Sequence, residues 1–165
     1  MPGPEERVTA ALMTSPAAHL DSATPAGYSG HMENIILPRP LVNQILHQAQ
    51  SSPETEICGL VAAKDGQPTR CIQVANVAEE PQRLFTMDPA GQIDAQRGMR
   101  ERGEELFGIY HSHPHTPAQP SARDLEQAGY PEALYIIVSL NTKGVLEMRG
   151  FRLMDNKAVQ VQLEI

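Results

Sequence analysis

Leu106-Phe107-Gly108-Ile109-Tyr110-His111-Ser112-His113-Pro114 is the stretch that organises the rest of the chain. Its apolar and aromatic run reads as a strand, and Pro114 stops it, which leaves two histidines at the strand's exposed end. Downstream, Pro114 to Pro120 is a proline-rich loop, and Ser121 opens a short helix that ends near Gly129. Ala133 to Leu140 is nearly all apolar and reads as a central buried strand. After the turn Asn141–Gly144, the segments Val145–Met154 and Ala158–Ile165 alternate as two final antiparallel strands.

The upstream half has the same mixture. Asp88-Pro89 is a helix start, with a side-chain cap followed by proline in the first turn. Residues 90–102 then form a half-exposed helix carrying Ile93 and Met99, and Glu101 to Glu105 reads as its solvated end. Ile57–Ala63 and Cys71–Val77 form a hairpin around the turn Lys64–Pro68. Leu41, Val42, Ile45, Leu46 and Ala49 share one helical face, started near Pro40 and ended by Ser51-Ser52-Pro53. Ile35-Ile36-Leu37 reads as an edge strand. The sum is an α/β sandwich, a mixed and mostly antiparallel sheet flanked by helices, in one domain over residues 32–165.

Composition narrows the function. At 165 residues and 41% hydrophobic, the chain can bury a core. A net charge of −7 argues against a nucleic-acid binder. No apolar run is long enough for a bilayer-spanning helix. Cys58 and Cys71 have apolar flanks and read as packed thiols in a reducing cytoplasm. The remaining methionines read as core. Residues 1–31 are rich in Ala, Pro, Ser, Thr and Gly, so they are expected to be a disordered tail or an expression leader. Ser29-Gly30-His31-Met32 looks like a cloning junction.

His111 and His113, with Pro120-Ser121-Ala122-Arg123-Asp124, make the pattern H-x-H-x7-S-x2-D. Residues i and i+2 of a strand share a face about 6.5–7 Å apart, so the two imidazoles can lean towards one ion. Two imidazoles and a carboxylate are ligands that hold catalytic Zn²⁺ with a coordination position open. Alone, H-x-H is common by chance. Asp124 also fits a capping box with Ser121, which needs no metal. A hydrolytic site needs a base as well, and either Glu54 or Glu56, at the mouth of an apolar strand, meets that need.

Together these segments resemble the JAMM motif of the MPN-domain zinc metallopeptidases, the MPN+ branch. The resemblance rests on Glu56-Ile57-Cys58-Gly59-Leu60, His111-Ser112-His113-Pro114 and Pro120-Ser121-Ala122-Arg123-Asp124. Softer likenesses are Ala75-Asn76-Val77, Phe85-Thr86-Met87-Asp88-Pro89, Gly108-Ile109-Tyr110 and Tyr135–Ser139, so it covers about residues 35–165. It implies a single-domain MPN (cytidine-deaminase-like) sandwich. It implies one Zn²⁺ per chain, held by His111, His113, Asp124 and a water. It selects Glu56 over Glu54 as general acid/base and gives Ser121 the oxyanion of the tetrahedral intermediate. Capping and oxyanion binding are expected to compete for one hydroxyl orientation.

The family hydrolyses peptide or isopeptide bonds, often after the Gly-Gly end of ubiquitin or a ubiquitin-like protein. This chain lacks the long insertions of larger relatives and is similar to small prokaryotic members. The resemblance therefore implies a ubiquitin-like or sulfur-carrier protein as partner, with no nucleic acid and no membrane, and leaves a homodimer open. The alternatives are a peptidase of cell-wall or phage-tail peptides, and a non-catalytic MPN scaffold. Retention of the His and Asp residues ranks the scaffold last.

Overall fold

The computed structural model describes residues 32–165; the tail expected over 1–31 lies outside them. In chain order the elements are β1 (Asn34–Ile36), α1 (Arg39–Ser51), β2 (Cys58–Lys64), β3 (Gln67–Val74), α2 (Pro89–Glu101), β4 (Glu105–His113), α3 (Ala122–Gln127), β5 (Leu134–Ser139), β6 (Glu147–Met154) and β7 (Lys157–Glu164). The strands form one sheet in the order β1-β7-β6-β5-β4-β2-β3. Pairs β1/β7 and β4/β5 are parallel, and the others are antiparallel. The expected mixed sheet is thus present, and β5, buried at all six positions, occupies its centre.

Helices cover both faces. Leu41, Val42, Ile45, Leu46 and Ala49 of α1 pack on one face with Val61, Tyr110, Ile136 and Met148. Ala95 and Met99 of α2, with Leu125 of α3, pack on the other with Leu60, Ile109 and Ile137. Strand alternation therefore sends Tyr110 into one core and its neighbours Ile109 and His111 to the opposite side. No described helix is long and apolar enough to cross a membrane.

Several expectations need correction. Ile93 is 53% exposed. The buried seam of α2 is Ala95 and Met99, four residues apart, and Ile93 lies about 200° round the helix from Ala95. Glu104 is not a solvated helix end: it accepts a forked contact from Arg70. Cys71 is only half-buried, near Gln44 and Gln48, because its side of β3 meets a polar part of α1. Met154, at the end of β6, is exposed rather than core. Strand β3 ends at Val74, and beyond it only Asn76 forms a bridge, with Met87.

Candidate metal centre

The geometry of the centre starts with Tyr110. Its ring is fully buried, and its hydroxyl donates to Gln48 Oε1 of α1 at 2.6 Å. It lies across β2 at Gly59, where any Cβ would collide with the Tyr110 hydroxyl and the Ile72 carbonyl. With Tyr110 pinned on one face, His111 and His113 must project from the other. Ser112 fixes the strand end: its hydroxyl accepts from Ile57 N at 2.9 Å, and its own N–H donates to Ile57 O at 3.0 Å. That double bond ties the histidines to the start of β2, where Glu56 sits.

Helix α3 supplies the carboxylate. Six residues form a marginal helix on their own, so its start depends on local contacts. Ser121 Oγ accepts from Asp124 N at 3.1 Å, and Asp124 Oδ2 accepts from Ser121 N at 2.9 Å. Such a cap stabilises a helix by about 1 kcal/mol and holds the Asp124 carboxylate stiffly. The same Oδ2 lies 3.2 Å from His111 Nε2 and 3.3 Å from His113 Nε2, and the two nitrogens are 3.0 Å apart. Bonds of roughly 2.0–2.1 Å at tetrahedral angles around one Zn²⁺ would give edges of about 3.3 Å, close to this triangle.

Protonation supports the same fit. His113 Nδ1 lies 2.8 Å from the Pro117 carbonyl, which only accepts, so Nδ1 carries the proton. The lone pair of neutral His113 is then on Nε2, facing His111 Nε2 and the Asp124 carboxylate. Without an ion, a proton on the His111 Nε2 can bridge to the Asp124 carboxylate; a cation in the triangle would replace that proton and take all three ligand atoms. Burial would raise the Asp124 carboxyl, but its hydrogen bonds with His111 and His113 prevail and hold it well below the usual range. Burial pushes the His111 ring down against the pull of Asp124. At His113 burial acts the same way, but Asp124 and the Pro117 carbonyl together outweigh it and push the ring up.

Glu56 is 6% exposed, and one of its carboxylate oxygens lies within 4.8 Å of ligand nitrogens on both histidines. Burial pushes its carboxyl up to about 7, with His113 opposing and the Asp124 charge adding to the rise. Glu54, the other candidate, points outward, with its side chain 80% exposed and 3.7 Å from the exposed loop residue His115. Cys58, beside Glu56, is a packed thiol: burial and the Glu56 charge push it up to about 12. A cavity of about 280 Å³ opens along His111 and Asp124, walled by Phe85, Gln92, Gln127 and Tyr130.

The structure therefore brings together His111, His113, Asp124, Ser121 and Glu56, and leaves Glu54 and His115 at the rim. Sequence reading missed the anchor Ser112, the Pro117 carbonyl, and Phe85, whose ring stacks on His111 at 4.4 Å. Ser112 and Phe85 left a trace only as members of segments quoted for their likeness, and the Pro117 carbonyl left none.

Comparison with known proteins places the chain in a family. A family model described as prokaryotic homologues of the JAB domain matches residues 38–153. The CysO-cysteine peptidase of Mycobacterium tuberculosis is 30% identical over 133 residues, 79% of this chain and 90% of that protein. A probable TtuB-protein conjugate cleaving protease of Thermus thermophilus is 32% identical over 136 residues, 82% of this chain and 85% of that one. A solution structure of a protein from Desulfitobacterium hafniense superposes with a TM-score of 0.69 at 30% identity, covering 78% of this chain and 90% of that one.

Proposed function

The chain belongs to the family of prokaryotic homologues of the JAB domain and is a hydrolase; we propose that it is a zinc metallopeptidase that cuts the peptide or isopeptide bond after the C-terminal Gly-Gly of a small ubiquitin-like or sulfur-carrier protein. The observation that carries this reading is the triangle of His111 Nε2, His113 Nε2 and Asp124 Oδ2, with the Glu56 carboxyl beside it. The names of the two relatives support the substrate class, since one acts on CysO-cysteine and the other on TtuB conjugates. We take residues 32–165 as the catalytic domain; the family match and the pairing of β1 with β7 support that boundary.

His111, His113 and Asp124 would hold the ion. When bound, Zn²⁺ supplies Lewis acidity toward a water and toward the scissile carbonyl. Glu56 accepts a proton from the attacking water as it adds to the carbonyl carbon. It returns that proton to the amine nitrogen as the C–N bond breaks. A carboxyl buried enough to titrate near neutrality suits both directions of transfer. Ser121 uses an oxygen lone pair for its cap, because it accepts from Asp124 N. Its hydroxyl hydrogen stays free to donate to the oxyanion, so the two duties do not compete.

The test is direct. Purified protein should carry close to one zinc per chain. Incubated with a Gly-Gly-ended carrier that is extended by cysteine or linked to a protein, it should release a carrier ending at the second glycine, read by mass spectrometry. A chelator should stop cleavage, and added zinc should restore it. Protein without near-stoichiometric zinc, and inactive after zinc is supplied, sinks the proposal.

A further inference from the structure

We propose that Asn76 and Phe85 are positioning residues: the segment between them holds Glu56 by its main chain and His111 by its ring face. This rests on the roles proposed above for Glu56 and His111.

Asn76 uses the full capacity of its side-chain amide. Nδ2 donates to the carbonyls of Glu56 and Leu84, both at 2.9 Å. Oδ1 accepts from Ala78 N and Thr86 N, both at 3.0 Å. Three of these partners belong to the segment that follows Asn76; the fourth is Glu56. The same segment also takes the other main-chain group of Glu56, whose N–H donates to the Pro81 carbonyl at 2.7 Å. Val77 N to Thr86 O at 2.8 Å and Asp88 N to Ala75 O at 2.9 Å close its base. Glu56 precedes the first residue of β2, so its placement depends on these contacts more than on the sheet ladder.

Phe85 lies between Leu84 and Thr86, the two residues that Asn76 grips. Its ring stacks on His111 with centroids 4.4 Å apart and planes 28° from parallel. The two imidazoles are supported differently. His113 is oriented through Nδ1 by the Pro117 carbonyl. His111 Nδ1 is buried and has no hydrogen-bond partner among the described residues. Asp124 and His113 meet the His111 ring at Nε2; with Nδ1 unpartnered, the Phe85 face is the further contact that sets its tilt, and Asn76 holds Phe85 there. Partners that orient a metal-binding histidine typically change metal affinity 10–100-fold when removed.

The experiment measures zinc affinity by chelator competition, kcat at saturating zinc, and the NMR shifts of the His111 ring protons. Phe85→Ala should weaken zinc binding about 10–100-fold, and Phe85→Tyr, which keeps the flat ring, should recover most of it. Phe85→Leu, of similar bulk without a ring face, should stay near the Ala variant. Asn76→Ala should weaken zinc binding in the same direction, and adding it to Phe85→Ala should cost no more than twofold further. At saturating zinc, Asn76→Ala should still lower kcat at least tenfold through Glu56, and should lower it no further in a Glu56→Gln background. Wild-type affinity in Phe85→Ala, recovery by Leu equal to Tyr, or an unchanged kcat in Asn76→Ala overturns the inference. A wild-type protein that binds no zinc would instead sink the metallopeptidase reading. The ring-current shift of His111, lost in Asn76→Ala if Phe85 is held by Asn76, still decides the clamp in that case.

Discussion

Strand β4 has a polar cluster at each end, half-buried at its start and buried at its end, and the two differ in how their charge is balanced. At its start, the Arg70 guanidinium meets Glu104 through Nε at 3.0 Å and through a terminal nitrogen at 2.8 Å, and Thr69 Oγ1 donates to the same carboxylate at 2.7 Å. Those Arg70 hydrogen bonds, helped by Thr69, hold the Glu104 carboxyl below its usual range. At its end, the Nε2 atoms of two imidazoles and Oδ2 of Asp124 converge on one point, and the Glu56 carboxyl beside them is pushed up. One cluster neutralises itself and fastens the fold. The other gathers ligand atoms with no such partner, at the place where we propose that a cation binds. Two carboxyls just before neighbouring strands, displaced in opposite directions, set the two clusters apart more clearly than burial does.

The contrast breaks most visibly at the ligands. His113→Ala should abolish stable zinc binding and lower turnover at least about 10⁴-fold, since the remaining pair of ligands cannot hold a catalytic ion. Metal content by mass spectrometry and cleavage of a Gly-Gly-ended carrier measure both. Retained zinc would mean that the triangle is not the metal site. Next in size is Glu56→Gln, which should keep zinc within a few-fold and lose about 10³-fold in kcat. Turnover near wild type in that variant would move the base elsewhere.

How much of this was legible in the sequence follows from the range of the forces involved. Alternation and helical spacing are local, so the α1 face, the central β5 and the strand carrying the His pair read directly from residues. The spacing of His111, His113, Ser121 and Asp124 is also short, and one strand end plus one capping box brings them together. Contacts between distant segments were not readable. Arg70 finding Glu104, Ser112 catching Ile57, and Asn76 catching Glu56 depend on strand register and loop closure, which no local pattern specifies. Glu56 could not be told from Glu54 by spacing; the fold buries one and leaves the other in solvent.

A smaller effect sharpens the comparison through pH. In metal-free protein the Glu56 carboxyl sits near 7, above its ordinary 4.5. A raised carboxyl favours folding in its protonated form. Its contribution is therefore complete below pH 4.5 and is lost as pH rises to about 7. The loss should be on the order of 2 kcal/mol once solvent screening at a partly accessible carboxyl is allowed for. Chelated wild type should thus melt lower at pH 8 than at pH 5 relative to chelated Glu56→Gln, which lacks the titration. Glu104, shifted down, acts with the opposite sign: its contribution is present above pH 4.5 and is lost on acidification. Parallel melting curves for the two proteins across this range would mean that the carboxyl is not displaced.

The smallest expected effect tests the self-neutralised end. The Arg70 side chain is 29% exposed and that of Glu104 6% exposed, so the pair lies between a surface bridge and a buried one. Arg70→Ala leaves Glu104 without its fork and should cost about 1–2 kcal/mol, between the values for exposed and buried pairs. For a domain of this size that is a fall of roughly 3–8 °C in Tm. The acid sensitivity contributed by Glu104 should shrink with it, because the carboxyl would return toward its ordinary range. Zinc affinity and kcat should stay within twofold, because Ile109, Tyr110 and Ser112 brace β4 between the two clusters through both cores and the start of β2. A tenfold fall in zinc affinity would show that the ends of β4 are mechanically coupled, and the ion pair would then count as part of the site's support.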